Sequence, residues 1–337
     1  MIYVLTERRS TKIGAALLIF ALALRLFTGG GLSFLRSERF AAVVAFLETG
    51  RIVSLQKLPN LSTQPPVETT QPTTLPPPTQ LPVPQIPLFS AEDADLTRLR
   101  YSCGYRPDVE KLLMESLQWD LADGQPAVLI VHTHGSESYT KQPGQDYKET
   151  AAYRTLDEHY NMVAVGDLLA QLLEAAGIRV IHDRQLHDYP SYNSSYNNSR
   201  KSVKEYLKEY PSIRLVLDVH RDAAENADGS QFATHAIVDG KSSAQIMFLV
   251  GTDETGNYHP DWQDNLAVAA KLNVLMEKSC SGITRKATLR AQRFNQDLAP
   301  IALLVEVGSA GNTLEEALRA IPVLAEAIIG LKNGANW

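Results

Sequence analysis

Two histidines and a glutamate follow a short apolar run near the middle of the chain. Residues 127–131 read Ala-Val-Leu-Ile-Val, and His132, His134 and Glu137 come directly after them. The run is short and rich in β-branched residues, which predicts a buried parallel strand. Ligands of open α/β sheets bind beyond the carboxyl ends of the strands, and histidine and glutamate are common zinc ligands. The stretch therefore indicates a polar site at the edge of a sheet.

The same pattern occurs twice more along the chain. Residues 214–219 are followed by His220, and residues 300–305 are followed by Glu306. Strand ends of a parallel sheet lie along one edge, so both residues can converge with His134. A catalytic zinc site takes three protein ligands and keeps one position for water, and a glutamate that is not a ligand can carry the proton of that water. The pattern predicts hydrolysis of an amide, with Glu306 as the proton carrier.

Each of these residues also has a purely structural interpretation. A single histidine after a strand is often a hydrogen-bonded structural residue, Glu306 can cap the turn that follows it, and Glu137 can be a solvated loop carboxylate. Their joint occurrence at three strand ends is what favours a metal site.

The elements around these residues predict an α/β fold with a single central sheet, mixed but mostly parallel, flanked by helices. The apolar side chains of residues 156–176 fall on one helical face, and Gly177 ends that helix. Residues 235–239 and 245–251 resemble a pair of strands. The predicted strands are 127–131, 178–181, 214–219, 235–239, 245–251 and 300–305. The predicted helices are 108–121, 156–176, one that ends near Tyr210 before Pro211, 262–278 and 313–331.

The first 88 residues differ in composition from the rest of the chain. Residues 1–35 are predicted to hold a cytoplasmic N-terminus and a transmembrane anchor, because basic residues precede an apolar stretch that contains only Arg25 as a charge. A cleaved signal peptide is the alternative. Residues 36–88 include a Pro- and Thr-rich linker, which predicts an extended spacer. Residues 89–337 are predicted to form the catalytic domain.

Charge and cysteine content limit the remaining function classes. A formal net charge of −6 and the lack of a long basic stretch argue against a nucleic-acid-binding protein. Cys103 and Cys280 have no metal-binding spacing, and they are either one disulfide or two separate thiols.

Five motifs in the same order resemble the stage II sporulation protein P family, over roughly residues 101–337. They are His132-Thr-His-Gly-Ser-Glu-Ser-Tyr139, Tyr160-Asn-Met-Val-Ala-Val-Gly166, Leu217-Asp-Val-His-Arg-Asp-Ala223, Arg293-Phe-Asn-Gln-Asp-Leu298 and Leu304-Val-Glu-Val-Gly-Ser309. This family looks related to zinc-dependent N-acetylmuramoyl-L-alanine amidases, so the resemblance implies an amidase-like fold and a Zn²⁺ cofactor.

The resemblance also implies a biological setting. Family members are membrane-anchored hydrolases that cleave the amide between muramic acid and L-alanine in peptidoglycan and act as endopeptidases on its cross-links. The implied partners are peptidoglycan and the stage II sporulation proteins D and M. The implied location is the septal membrane that engulfs the forespore, with the catalytic domain outside the cytoplasm.

Carried over by motif, His134 and His220 match the zinc histidines and Glu306 matches the catalytic glutamate. The third ligand has more than one candidate. Glu137 is the better match to this particular family, whereas the wider amidase pattern, with a glutamate ahead of an Asn, points to the two acidic residues before Asn161, which are Asp157 and Glu158.

Supporting roles are predicted for several neighbours of these residues. His132 can orient a ligand or line the groove, and Arg221 or Asp222 can fix the tautomer of the adjacent histidine through a hydrogen bond. The candidates for binding the substrate are Arg293, Asn295 and Gln296 for the peptide and Tyr192 and Tyr196 for the sugar.

Two other classes of function are compatible with the sequence. One is a membrane-tethered scaffold that binds peptidoglycan without turnover, although binding alone would not need a proton carrier such as Glu306. The other is a zinc carboxypeptidase or deacetylase that acts on the same polymer. The products distinguish the three enzymes, because an amidase releases whole stem peptides, a carboxypeptidase single D-amino acids, and a deacetylase acetate.

Overall fold

The computed structural model of the chain describes residues 89–117 and 119–332. The predicted anchor in residues 1–35 and the predicted juxtamembrane and linker segment in residues 36–88 lie outside these ranges, and both remain predictions. Within the described residues, no helix has both the length and the apolar character needed to cross a bilayer.

Eleven strands and five α-helices make up the described part of the chain. The strands are β1 (Leu99–Ser102), β2 (Val128–Val131), β3 (Glu149–Ala151), β4 (Arg154–Thr155), β5 (Val180–His182), β6 (Leu215–Asp222), β7 (Ala236–Val238), β8 (Lys241–Ser243), β9 (Ile246–Gly251), β10 (Ala287–Arg290) and β11 (Ile301–Ser309). The helices are α1 (Val109–Met114), α2 (Met162–Ala175), α3 (Ser195–Glu209), α4 (Trp262–Ser279) and α5 (Leu314–Gly330).

Seven strands form one sheet in the order β1-β10-β9-β11-β6-β2-β5. Strands β11, β6, β2 and β5 are parallel to one another, and so are β9, β10 and β1. The two blocks meet in an antiparallel pair between β9 and β11. The predicted mixed, mostly parallel sheet flanked by helices is therefore confirmed. Because β2, β6 and β11 belong to one parallel block, their carboxyl ends lie along the same edge.

The two faces of the sheet carry apolar cores of different extent. The larger core joins Leu217 and Val305 on the first face to helices α1, α2, α4 and α5. A smaller core on the second face joins Val131 and Ala302 to Val203 of α3, and it does not extend past β11. Side chains alternate between the faces along each strand, so every second residue of β6 and β11 points to the face with the smaller core.

Helix α2 shows how local signals position one wall of the sheet. Its N-terminus is capped by Asn161, whose side chain accepts a hydrogen bond from the Val163 amide at 2.9 Å. This cap makes the helix begin at Met162, later than the predicted start at residue 156. Gly177, with φ of 84°, follows the C-terminus as predicted.

Two predicted elements have a different form in the structure. The helix predicted at residues 108–121 ends at Met114, and Trp119 lies in an irregular segment where its indole N–H donates to the Leu331 carbonyl at 2.7 Å. The predicted pairing of residues 235–239 with 245–251 is wrong, because β7 pairs with β8 while β9 enters the main sheet.

The two cysteines do not form the disulfide that was one of the predicted alternatives. Cys103 and Cys280 are both free thiols, and each is partly accessible.

Candidate active site

Neighbouring positions of β6 and β11 bring a histidine and a glutamate together on the second face of the sheet. His220 and Glu306 are register partners in these two strands. The strands run on to Asp222 and Ser309, so both residues lie inside strands and not just after them as predicted. His134 comes from the turn after β2, and its ring centroid lies 5.3 Å from that of His220 in an edge-to-face arrangement. Two of the three predicted strand-end groups are thus in direct contact.

Glu137 is the carboxylate that adjoins this histidine pair. It is 4% exposed, and its Oε2 lies 3.7 Å from His220 Nδ1. Burial acts to raise the pKa of Glu137, but the charge of Arg221 and then the contact with His220 outweigh it and lower the pKa to about 2. Arg154 also lies 3.3 Å from Oε1. Glu137 is therefore an ionised carboxylate held among cations and imidazoles.

The other two carboxylates considered for the same role lie elsewhere. Asp157 Oδ1 is 3.0 Å from His159 Nδ1, and Glu158 Oε2 is 2.6 Å from a guanidinium nitrogen of Arg184. Both side chains are more than a third exposed. Among the three carboxylates, Glu137 is the one whose closest contacts include a predicted zinc histidine.

The predicted site contains buried polar atoms with no hydrogen-bond partner in the described residues. They include Nδ1 of His134, Nε2 of His220 and Oε2 of Glu306. Leaving such atoms unpaired costs about 1–3 kcal/mol each, so their concentration at one place indicates a binding site rather than a structural core. Imidazole nitrogens together with a carboxylate are the donor types that zinc prefers, so the residues present fit this metal. As the side chains lie, no group of three or more His, Cys, Asp or Glu residues in the described ranges has the arrangement of a metal site.

Burial gives the histidines and Glu306 different protonation behaviour. Burial, and then the proximity of His220, lowers the pKa of His134 to about 4, so this imidazole is neutral near pH 7. For His220, burial acts to lower the pKa, but the charge of Asp218 outweighs it and the pKa is raised. Burial raises the pKa of Glu306 to about 8, because its Oε2 is inaccessible although part of the residue is exposed. Glu306 can therefore exchange a proton near neutral pH.

Asp218 is a site residue that the sequence analysis missed. Its Oδ1 lies 2.8 Å from His220 Nε2, in a contact that lacks hydrogen-bond geometry. Thr133 holds the carboxylate through its amide at 2.8 Å and its hydroxyl at 2.6 Å. The signal was present in the sequence, because residues two apart on a strand share a face and Asp218 precedes His220 by two positions.

Two tyrosines surround the ring of His134. Tyr192 stacks on it with centroids 4.5 Å apart, and Tyr196 lies against it edge-to-face at 5.6 Å. The guanidinium of Arg154 lies 4.5 Å from the Tyr192 ring centroid. Since Tyr192 is 52% exposed, it forms the rim of the site, where the predicted contact with a sugar remains a prediction.

His132 is fully buried and does not line a groove. Its Nδ1 lies 2.8 Å from the Val219 carbonyl, and its Nε2 lies 2.9 Å from Nε2 of His182. Burial, and then the nearby His182, lowers the pKa of His132 to about 3. The contact with Val219 ties the end of β2 to the strand segment that carries His220, so His132 acts on the site through the backbone.

Arg221 and Asp222 do not contact the His220 ring as predicted. The Arg221 amide lies 3.4 Å from Oε2 of Glu137, and its guanidinium donates to the carbonyls of Ser138 and Tyr153, both at 3.0 Å. The Asp222 carboxylate accepts a hydrogen bond from the Arg285 guanidinium at 2.8 Å. Arg221 therefore positions the Glu137 carboxylate instead of fixing a histidine tautomer.

The predicted peptide-binding residues make hydrogen bonds to other groups of the protein. The Gln296 side chain accepts from the Gly251 amide at 2.7 Å, and Asn295 donates to the Tyr196 carbonyl at 2.8 Å. Arg293 donates to a backbone carbonyl at 3.0 Å. These three residues shape the loop beside the site, and their engaged groups leave Gln296 in particular, 4% exposed, unable to reach a substrate.

Comparison with known proteins gives one family and several solved structures. The family model described as "Stage II sporulation protein P (SpoIIP)" matches residues 78–329. Stage II sporulation protein P of Bacillus subtilis (strain 168) is 30% identical over 211 residues, which are 59% of this chain and 49% of the relative. The chain thus matches about half the length of this curated relative.

The solved structures are similar at lower levels. N-acetylmuramoyl-L-alanine amidase AmiC2 of Nostoc punctiforme is 10% identical with a TM-score of 0.37, over 60% of this chain and 96% of that one. The N-acetylmuramoyl-L-alanine amidase from Clostridium difficile 630 is 13% identical with a TM-score of 0.38, over 62% of this chain and 97% of that one. Scores and identities this low do not determine the fold or the activity of this chain.

Proposed function

The chain belongs to the stage II sporulation protein P family, and from this premise we propose that it hydrolyses peptidoglycan during sporulation. The specific activity proposed is that of a zinc-dependent N-acetylmuramoyl-L-alanine amidase, with cross-link endopeptidase activity as a second reaction. The name of the Bacillus subtilis relative supports the sporulation role. The chemistry of the site supports hydrolysis.

One observation carries the proposal for the chemistry. Two buried imidazoles adjoin the ionised carboxylate of Glu137; His134 Nδ1 has no hydrogen-bond partner in the described residues, and Glu306 lies beside His220 with an unpartnered, inaccessible oxygen. A scaffold that only binds a polymer has no use for a glutamate with an inaccessible, unpartnered oxygen beside two imidazoles. A hydrolase needs such a group to move a proton.

His134, Glu137 and His220 are the residues proposed to hold Zn²⁺. When bound, the metal would lower the pKa of water and polarise a carbonyl. The protein groups around the three residues fix their positions: Arg221 and Arg154 hold Glu137, and the Tyr192 ring stacks on His134.

Glu306 is proposed to carry the proton in the hydrolysis. In its ionised form it takes a proton from the attacking water, whose oxygen bonds to the carbonyl carbon. It then donates that proton to the leaving nitrogen as the carbon–nitrogen bond breaks, so one group serves both halves of the reaction. Burial raises the pKa of Glu306 to about 8 in the metal-free site, so its surroundings favour uptake of the proton that this role requires.

The setting of the reaction is also a proposal. We take the anchor in residues 1–35 and the following linker to hold the catalytic domain at the outer side of the septal membrane that engulfs the forespore. The stage II sporulation proteins D and M are the proposed protein partners.

The test is digestion of purified peptidoglycan sacculi by the full-length chain in mild detergent, with mass spectrometry of the released products. Wild type is compared with Glu306→Gln and with Glu277→Gln, a matched change at another buried glutamate that bonds to the Thr284 hydroxyl. We expect free stem peptides from wild type and Glu277→Gln, and at least about 100-fold slower release from Glu306→Gln. A chelator should abolish release, and added Zn²⁺ should restore it.

Other outcomes contradict separate parts of the proposal. Full activity of Glu306→Gln would contradict the role of Glu306. Release of single D-amino acids would mean that the activity is that of a carboxypeptidase, and release of acetate would mean that it is that of a deacetylase. Binding of sacculi without any release would favour the scaffold.

A further inference from the structure

A cavity extends from Glu306 across the three strands of the second parallel block. It has a volume of about 180 Å³, and its walls include Arg100, Arg285 and Arg290. The smaller apolar core ends at β11, and the cavity beyond it is lined by the apolar Ala224, Met247 and Leu249 together with polar and charged residues. Three guanidiniums in one cavity are notable in a chain whose formal net charge is −6.

The strand register places these residues on the same face as Glu306. One row crosses the sheet from Leu304 of β11 through Leu249 and Thr288 to Arg100 of β1. Glu306 pairs with Met247 on one side of that row, and Arg290 pairs with Gly251 and Ser102 on the other side. The two arginines therefore lie diagonally across the second face from the proposed proton carrier, and all three residues line the same cavity.

Two of the three guanidiniums have no anionic partner in the described residues. Arg285 is paired with Asp222 at 2.8 Å and lies over the Phe232 ring. Neither Arg100 nor Arg290 makes a side-chain hydrogen bond or an ion pair with any residue of the described ranges. The cavity therefore has a surplus of positive charge at its β10–β1 end, which suits an anionic ligand with planar oxygens.

We propose that Arg100 and Arg290 bind carboxylates of the peptide part of the substrate, so that the stem peptide lies from Glu306 across β9, β10 and β1. This inference rests on the proposed function, because it takes a peptidoglycan stem peptide as the ligand. It also moves peptide recognition from the predicted Arg293, Asn295 and Gln296 to the opposite side of the catalytic glutamate.

The spacing of the strands agrees with the length of a stem peptide. Neighbouring strands are about 4.8 Å apart and a strand advances about 3.3 Å per residue, so the backbone positions of Arg100 and Arg290 both lie about 16 Å from that of Glu306. An extended peptide of four residues covers about 13 Å. The carboxylate at the end of such a peptide therefore comes within reach of the two arginine side chains.

Binding by the full-length chain tests this inference without any turnover. The probe is the synthetic peptide L-Ala-γ-D-Glu-L-Lys-D-Ala, compared by calorimetric titration with the same peptide in which both carboxylates are carboxamides. The variants are Arg100→Gln, Arg290→Gln and their combination. Arg98→Gln is the matched control, because Arg98 loses the same charge two residues away and does not line the cavity.

We expect wild type and Arg98→Gln to bind the carboxylate peptide about tenfold more tightly than the carboxamide. Each single variant should weaken carboxylate binding about threefold, as loss of one partly exposed charge pair does. The double variant should bind both peptides equally. Binding of the carboxamide should stay unchanged throughout, which separates loss of recognition from loss of folding.

Equal affinity of wild type for the two peptides would overturn the inference, and that result needs no variant at all. Unchanged carboxylate binding in the double variant would also overturn it. Failure of the proposed function has a different signature, because it is measured by sacculus digestion. A chain that digests sacculi but binds both peptides equally retains the function and loses the inference.

Discussion

Replacing Gly166 by alanine tests whether the packing behind the site is as tight as the structure indicates. Gly166 lies in α2, and a Cβ at this position would come within 2.5 Å of Nε2 of both His132 and His182. Ordinary carbon contacts are about 3.5 Å or longer, so the overlap is about 1 Å with each ring. His132 cannot yield easily, because it is fully buried and bonded to the Val219 carbonyl and to His182.

The expected cost follows from two opposed effects. Alanine is about 1 kcal/mol better than glycine in a helix interior. Overpacking costs about 1–3 kcal/mol, and separating the two histidines removes a buried hydrogen bond worth about 1 kcal/mol. We expect Gly166→Ala to lower the free energy of unfolding by about 1–3 kcal/mol.

Gly330→Ala is the matched control for this substitution. Gly330 is also helical, and its added Cβ would meet only the flexible Leu275 Cδ1 at 3.4 Å, so its effect should stay within about 0.5 kcal/mol. Urea unfolding of the full-length chain, followed by circular dichroism, gives both free energies. Gly166→Ala as stable as Gly330→Ala would refute the reasoning, because it would mean that the histidine pair does not depend on a glycine-sized gap in α2.

Three further predictions concern the supports of the site. The register of β11 with β6 shifts between Glu306 and Ser309, which marks a bulge that contains Gly308. Gly308 has φ of 68°, and a Cβ there would lie 2.8 Å from Asn312 Oδ1. Gly308→Ala should therefore cost at least about 2 kcal/mol in urea unfolding and should slow sacculus digestion, because this bulge would shift. Unchanged stability and digestion would contradict the role of that bulge. Burial acts to raise the pKa of Asp297, but its two 2.7 Å bonds from Arg200 lower it below its ordinary value; its contribution should therefore be complete above about pH 4 and be lost as the pH falls further. Asp297→Asn should cost about 1–3 kcal/mol at pH 7 and less at pH 3, and an equal cost at both values would exclude the ion pair as the cause. The Thr313 hydroxyl caps α5, so Thr313→Ala should lower the free energy of unfolding by about 1 kcal/mol, and a cost near zero would mean that water replaces the cap.

The strands that carry the site could be predicted because they are buried on both faces. A strand covered on both sides reads as an unbroken apolar run, which is true of all of β2, of β11 before Glu306 and of β6 before Asp218. Each run stops near a polar residue that faces the open part of the site, so the positions of His134, His220 and Glu306 near one another followed from strand order within a parallel block. The role of Asp218 could also have been predicted from the sequence, because it interrupts the apolar run of β6 and shares a face with His220.

The neighbours outside these runs could not be predicted in the same way. Nothing local to β9 or β10 states that their block runs antiparallel to β11, so the sequence does not reveal that Arg100 and Arg290 share a face with Glu306. The internal hydrogen bonds of Asn295 and Gln296, for which peptide-binding roles were predicted, could not be foreseen for a related reason. An amide side chain satisfies the backbone of a nearby strand as well as it satisfies a ligand, and only the fold decides between them.

The incomplete second core connects these observations. Helix α3 packs on the second face only as far as β11, and a longer apolar layer would have buried Glu306 beneath side chains and closed the cavity beside it. Beyond β11 the second face carries Met247 and Leu249 of β9, each 8% exposed, and then the polar residues of β10 and β1. One cavity on that face therefore has a proton-exchanging carboxylate on its β11 side and two unpaired guanidiniums on its β10–β1 side. A polymeric substrate with an anionic peptide can lie along such a cavity, and this is why the place where the core stops is where the chemistry is proposed to occur.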